Sequence, residues 1–128
     1  MQLNIDGERY IADVQKDFSF AYPYLRIEFF RNGVVRQHRY PAHQKIANHV
    51  KLKDAWVYKK EKGDLEVYDS MSVMDLENAF MDLFGLSVQV FRKSGNIWLE
   101  TTMTDNWTLK QQSDHGMEIS RTNREVDR

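Results

Sequence analysis

One phrase occurs twice in this chain. Val14 to Gly33 (VQKDFSFAYPYLRIEFFRNG) and Leu76 to Gly95 (LENAFMDLFGLSVQVFRKSG) place like residues at like spacings. Asp13 aligns with Asp75, Phe18 with Phe80 and Tyr22 with Phe84. After a one-residue gap, Leu25, Ile27, Phe29, Phe30 and Arg31 align with Leu86, Val88, Val90, Phe91 and Arg92. Each copy reads as an amphipathic helix, a tight break and an alternating strand ending in Phe-Arg. A repeat of this kind constrains architecture strongly and activity hardly at all.

Local signals fill in the elements. Ile11, Val14, Phe18 and Tyr22 fall on one helical stripe, which predicts a helix over 10–22. Pro23 stops it, because its ring nitrogen cannot donate to the helical ladder. Ser72 and Asp75 form a capping-box pattern ahead of a helix over 73–84, and Gly85 supplies the left-handed stop. Alternation predicts strands at 2–5, 24–31, 64–68, 86–92 and 97–102. Asn32-Gly33 is a hairpin signal, with Val34 to Arg36 turning back. Thr108 with Gln111 opens a short third helix at 109–113.

These elements predict an α+β two-layer sandwich: a mostly antiparallel sheet with the two main helices on one face. The ferredoxin-like split βαβ plan is the closest common arrangement. The domain is expected to span 1–113, with halves at about 1–36 and 64–102 and a basic connection over 37–63. The polar stretch 114–128 reads as a disordered tail.

Composition excludes several classes. A net charge of −1 over 128 residues argues against bulk-charge binding to nucleic acid or membrane. With no cysteine there is no disulfide framework or thiolate metal site. The start MQLNIDGERY has no signal-peptide pattern, and no apolar run approaches the ~20 residues of a membrane span. A soluble cytoplasmic protein is the expectation. Charge is segmented, however: nine basic residues lie between Arg31 and Lys62, and six acidic ones without a Lys or Arg between Gly63 and Phe91. Mutual pairing of the two blocks is the simplest reading.

The stretches QVFRKSGNIWLETTMTDNWTLKQQ (89–112) and AYPYLRIEFF (21–30) resemble a family of small uncharacterised bacterial proteins. The resemblance implies a soluble bacterial single-domain protein and carries over no functional residues.

Candidate sites follow from placement. If Leu25, Ile27, Phe29 and Leu86, Val88, Val90 face helices, Phe30 and Phe91 emerge on the reverse of the sheet with Trp98 nearby. Such a patch suits a partner protein or a second copy, with Arg31 and Arg92 as its rim. Core burial under the third helix or the connection is the competing account. Alternatively, Arg36, Arg39, Lys45 and Lys51 bind nucleic acid or another polyanion. His38, His43 and His49 match no metal-ligand spacing, so neither metal nor cofactor is expected. The nucleophile elbow and phosphate-binding glycine motifs are missing, which leaves an unrecognised enzyme as the remaining alternative. The best reading is a non-enzymatic interaction or regulatory module.

Overall fold

A computed structural model describes residues 1–31, 44–58 and 62–126, with side chains through 121. Its elements are β1 (Gln2–Ile5), α1 (Ile11–Ala21), β2 (Leu25–Phe30), a 3-10 turn (Leu52–Asp54), β3 (Gly63–Glu66), α2 (Val73–Phe84), β4 (Ser87–Ser94), β5 (Ile97–Glu100), a second 3-10 turn (Thr102–Thr104) and α3 (Leu109–Val126). The α+β class stands. The expected hairpin over 32–36 lies outside the described residues.

The strands divide into two antiparallel sheets, β1-β3 and β2-β4-β5, where the ferredoxin-like plan would set the repeated strands in one. The register explains the division. The β1–β3 pair matches Leu3 with Leu65, and the β2–β4 pair matches Glu28 with Gln89. In both, a residue meets its own counterpart in the other half. The two halves therefore face each other about a local two-fold relation, each lending one strand to each sheet.

The correspondence runs further than the repeated phrase. Ile11 and Ala12 at the start of α1 donate to the carbonyls of Val50 and Asn48; Val73 and Met74 at the start of α2 donate to those of Trp107 and Asp105. Leu52 N–H bonds Arg9 and Leu109 N–H bonds Met71, while Lys53 bonds Gly7 and Lys110 bonds Asp69. Residues 45–53 thus repeat as 102–110. The orphan amides of both helix starts are satisfied in the same way, by a passing strand of chain as well as by the N3 aspartate.

Between the sheets and helices lies one apolar cluster containing Leu3, Val14, Phe18, Leu25, Ile27, Phe29, Ile46, Leu52, Leu65, Leu76, Phe80, Val88, Val90 and Leu109. Each such side chain, fully buried, contributes roughly 1.5–3 kcal/mol through apolar burial. Corresponding aromatic pairs flank it: Phe18 with Tyr22 at 5.4 Å, and Phe80 with Phe84 at 6.5 Å. Gly85 closes α2 at φ 65°, the left-handed conformation its sequence position called for.

Two expectations need correction. Residues 114–126 are not a disordered tail but the body of α3. The buried stripe of that helix is Leu109, Gln112, Gly116 and Ser120, mostly polar or small, so hydrophobic periodicity does not reveal it. A Cβ on Gly116 would meet Arg92 Cγ and Tyr24 Cβ at 3.1 Å, so glycine is what lets the helix lie close. Nor, among the described residues, do the basic and acidic blocks pair as expected: Lys51 and Lys53 both hold Glu8, and Lys62 lies 3.9 Å from Asp6.

Candidate functional site: a groove beside the first helix

Strand alternation puts Arg26, Glu28 and Phe30 of β2 on the sheet face turned away from α1 and α2, alongside Ser87, Gln89 and Phe91 of β4 and Trp98 of β5. This face is not bare. Phe30 is 2% exposed, and Glu28, Ser87 and Gln89 are also buried. Phe30 is therefore not a contact residue, contrary to its expected role. The far end of the face, with Arg26, Phe91 and Trp98, is half-exposed.

The rim also changes. Arg92 is paired across β5 with Leu99 and shares the opposite face with Val90. Its guanidinium donates to Gln112 Oε1 at 2.7 Å and lies 5.8 Å from the Trp107 ring centre, anchoring α3. Burial draws its pKa below the ordinary value. Arg31 is exposed at the end of β2, on the Arg92 side by parity, so neither arginine borders the aromatic pair. Arg26 does: its guanidinium carbon lies 5.4 Å from the Trp98 ring centre.

Arg26 leads to a recess of the described surface. A groove of about 540 Å³ runs between α1 and the outer edge of β2, walled by Gln15, Lys16 and Ser19 on one side and Lys45 to Asn48 on the other. Its floor is Glu28 and Arg26. A second recess of about 210 Å³, with Phe91 and Trp98 in its wall, shares Arg26, Glu28 and Lys45 with the first.

The floor is a closed polar set. Arg26 Nε donates to Glu28 Oε1 at 2.7 Å, and Gln15 Nε2 donates to Oε2 at 3.1 Å and to the Ile27 carbonyl at 2.8 Å. Ser19 Oγ donates to the Leu25 carbonyl at 2.9 Å. The outer edge of β2 is thereby occupied by side chains where a neighbouring strand would otherwise pair, and farther along by Ile46 N–H on the Phe29 carbonyl at 2.8 Å. With both oxygens engaged by donors, Glu28 is a positioning carboxylate.

This arrangement makes a measurable claim on stability. Glu28→Gln keeps the shape and removes the charge that holds Arg26 over Trp98. Because the Arg26 side chain is 39% exposed, the expected cost is modest, about 1–2 kcal/mol in urea unfolding. A change below about 0.3 kcal/mol would mean the pair does not hold the groove floor.

Of the residues singled out for polyanion binding, Arg36 and Arg39 lie outside the described residues. Lys51 is engaged by Glu8 at 3.0 Å, and Glu8, held chiefly by Lys53 and then Lys51, has its pKa drawn below the ordinary value. Lys45 is exposed at the groove wall. His49 is exposed, His38 and His43 lie outside the described residues, and no group of three metal-ligating side chains occurs among those described. No helix among the described residues is long and apolar enough to cross a membrane.

Sequence reasoning missed Gln15, Lys16 and Arg26. They sit on polar faces that read as solvated, and only the fold brings them opposite Lys45. Comparison of the chain with protein-family models, curated proteins and solved structures found no match.

Proposed function

We propose that the protein is a non-enzymatic interaction module that engages a partner protein, or a second copy of itself, at the Phe91–Trp98 end of the reverse sheet face. The observation that carries this reading is the change of exposure along that face: buried from Phe30 to Gln89, then half-open at two large aromatic side chains. Aromatic anchors beside a cation are the composition that dominates binding energy at interfaces. Arg26 braces Trp98 from the groove side, which limits the side-chain entropy lost on contact.

A photo-crosslinking amino acid at position 98, introduced in cells, tests it against the same group at position 20, where Phe20 is 89% exposed on the polar side of α1. Discrete adducts from position 98 alone are expected, at twice the chain mass if the partner is a second copy. Adducts from both positions alike, or from neither, would remove the basis for a specific contact surface.

A further inference from the structure

The two halves serve as each other's control. Where the first half has Lys16, Arg26 and Lys45 around its groove, the corresponding positions of the second half are Asn78, Ser87 and Thr102. The fold is built in both halves, through the same helix-start bonds and the same strand centre. Arg26 pairs with buried Glu28, whose counterpart is the neutral Gln89, but the shared fold has no structural need for a cation at Lys16 or Lys45.

The second site is also shut. Glu77, the counterpart of Gln15, is buried against the Val90 amide at 3.1 Å, and the hydroxyl oxygens of Ser87 and Thr102 are buried without hydrogen-bond partners. One copy of the site has none of the three cations and is filled; the other is cationic and open. Lys16 and Lys45 have no acidic partner among the described residues, and the carboxylate of Glu28 is already neutralised by Arg26.

We propose that the groove between α1 and β2 binds a small organic anion, its acid group held by Lys16 and Lys45 and its flat apolar part lying against Trp98 and Phe91. The two adjoining recesses, about 540 and 210 Å³, are of the size that takes such a ligand. Two ammonium groups on flexible stems suit a compact charge such as a carboxylate, sulfonate or phosphate. The Trp98 ring, fixed by Arg26, supplies the surface that distinguishes an aromatic acid from a bare ion. The site goes beyond the partner surface, since its acid-binding end lies behind Arg26 on α1 and the 45–48 segment.

Fluorescence titration of the full chain with 8-anilinonaphthalene-1-sulfonate, a flat aromatic anion, tests the proposal. Saturable binding of one equivalent, weakening as sodium chloride is raised, is expected. The variant Lys16→Asn with Lys45→Thr installs the residue types of the closed half, so it should melt like the parent while binding tenfold or more weaker. Trp98→Phe should weaken binding of the probe severalfold and lower the energy transfer to it, with Trp56 and Trp107 remaining as donors. Equal affinity in the Asn/Thr variant, uptake at many weak sites, or no saturable binding by the parent would overturn the proposal. Crosslinking at position 98 can fail while this titration succeeds, and the reverse, so the two readings fall separately.

Discussion

Stability is expected to fall as the pH rises from about 4.5 to about 8, and Glu77→Gln is expected to abolish that fall. Glu77 projects from α2 and is 6% exposed, accepting the Val90 amide just where β5 stops pairing with β4. Burial first, and Asp105 second, push its carboxyl up to about 8, against the lowering effect of the Val90 bond. In the unfolded chain the same group titrates near 4.5. Between those values the folded state holds a proton that the unfolded state has lost. Stability is then present in full below 4.5 and is lost as the pH climbs through 8.

The slope is about 1.4 kcal/mol per pH unit for one such proton, so the whole window is worth roughly 3–5 kcal/mol. That is a large share of the stability of a protein this size, on the order of 6–19 kcal/mol. Glutamine keeps an oxygen for the Val90 amide and cannot ionise, so the variant should be nearly level across the window and more stable than the parent at pH 9. Glu77→Ala removes the acceptor as well and should cost about 1–3 kcal/mol even at pH 5. Urea unfolding at half-unit pH steps decides the matter. A parent curve that is flat or rises from pH 5 to 8 would show that Glu77 ionises in the fold without cost.

What could be foreseen of this site, and of the fold, depended on how local its causes are. α2 was legible to the residue, because Ser72, Asp75 and Gly85 act within one turn of its ends. Alternation placed Leu25, Ile27, Phe29, Val88 and Val90 in the core for the same reason. The sheet division was not legible: it follows from the two-fold pairing of Leu3 with Leu65 and Glu28 with Gln89, which no single strand encodes. Residues 45–53 look like a connection in sequence because their structure is made by backbone bonds to Gly7 and Arg9, and only Leu52-Lys53 against Leu109-Lys110 hints at the shared role. The groove combined both difficulties. Lys16 against Asn78 and Arg26 against Ser87 were visible in the repeated phrase, but their meeting with Lys45 required the fold.

Phe80→Ala should produce the largest loss of any single truncation in the core, about 3–5 kcal/mol, with a fall in melting temperature of roughly 10–20 °C. Phe80 is fully buried, and its ring meets Phe29 of β2 edge-on at 5.9 Å and 88° and Phe84 at 6.5 Å. It thus joins the helix of one half to the strand of the other. Removing it leaves a cavity bounded by a sheet and a helix whose start is pinned by Trp107 and Asp105, so the walls have little freedom to close. Phe80→Leu, which keeps most of the volume, should cost only about 1–2 kcal/mol. A double-mutant cycle with Phe29→Ala should show coupling of about 0.5–1.5 kcal/mol, since the two rings touch directly. Strict additivity, or a loss below about 1 kcal/mol for the alanine variant, would mean that the halves are held together elsewhere and that the shared core is not what couples them.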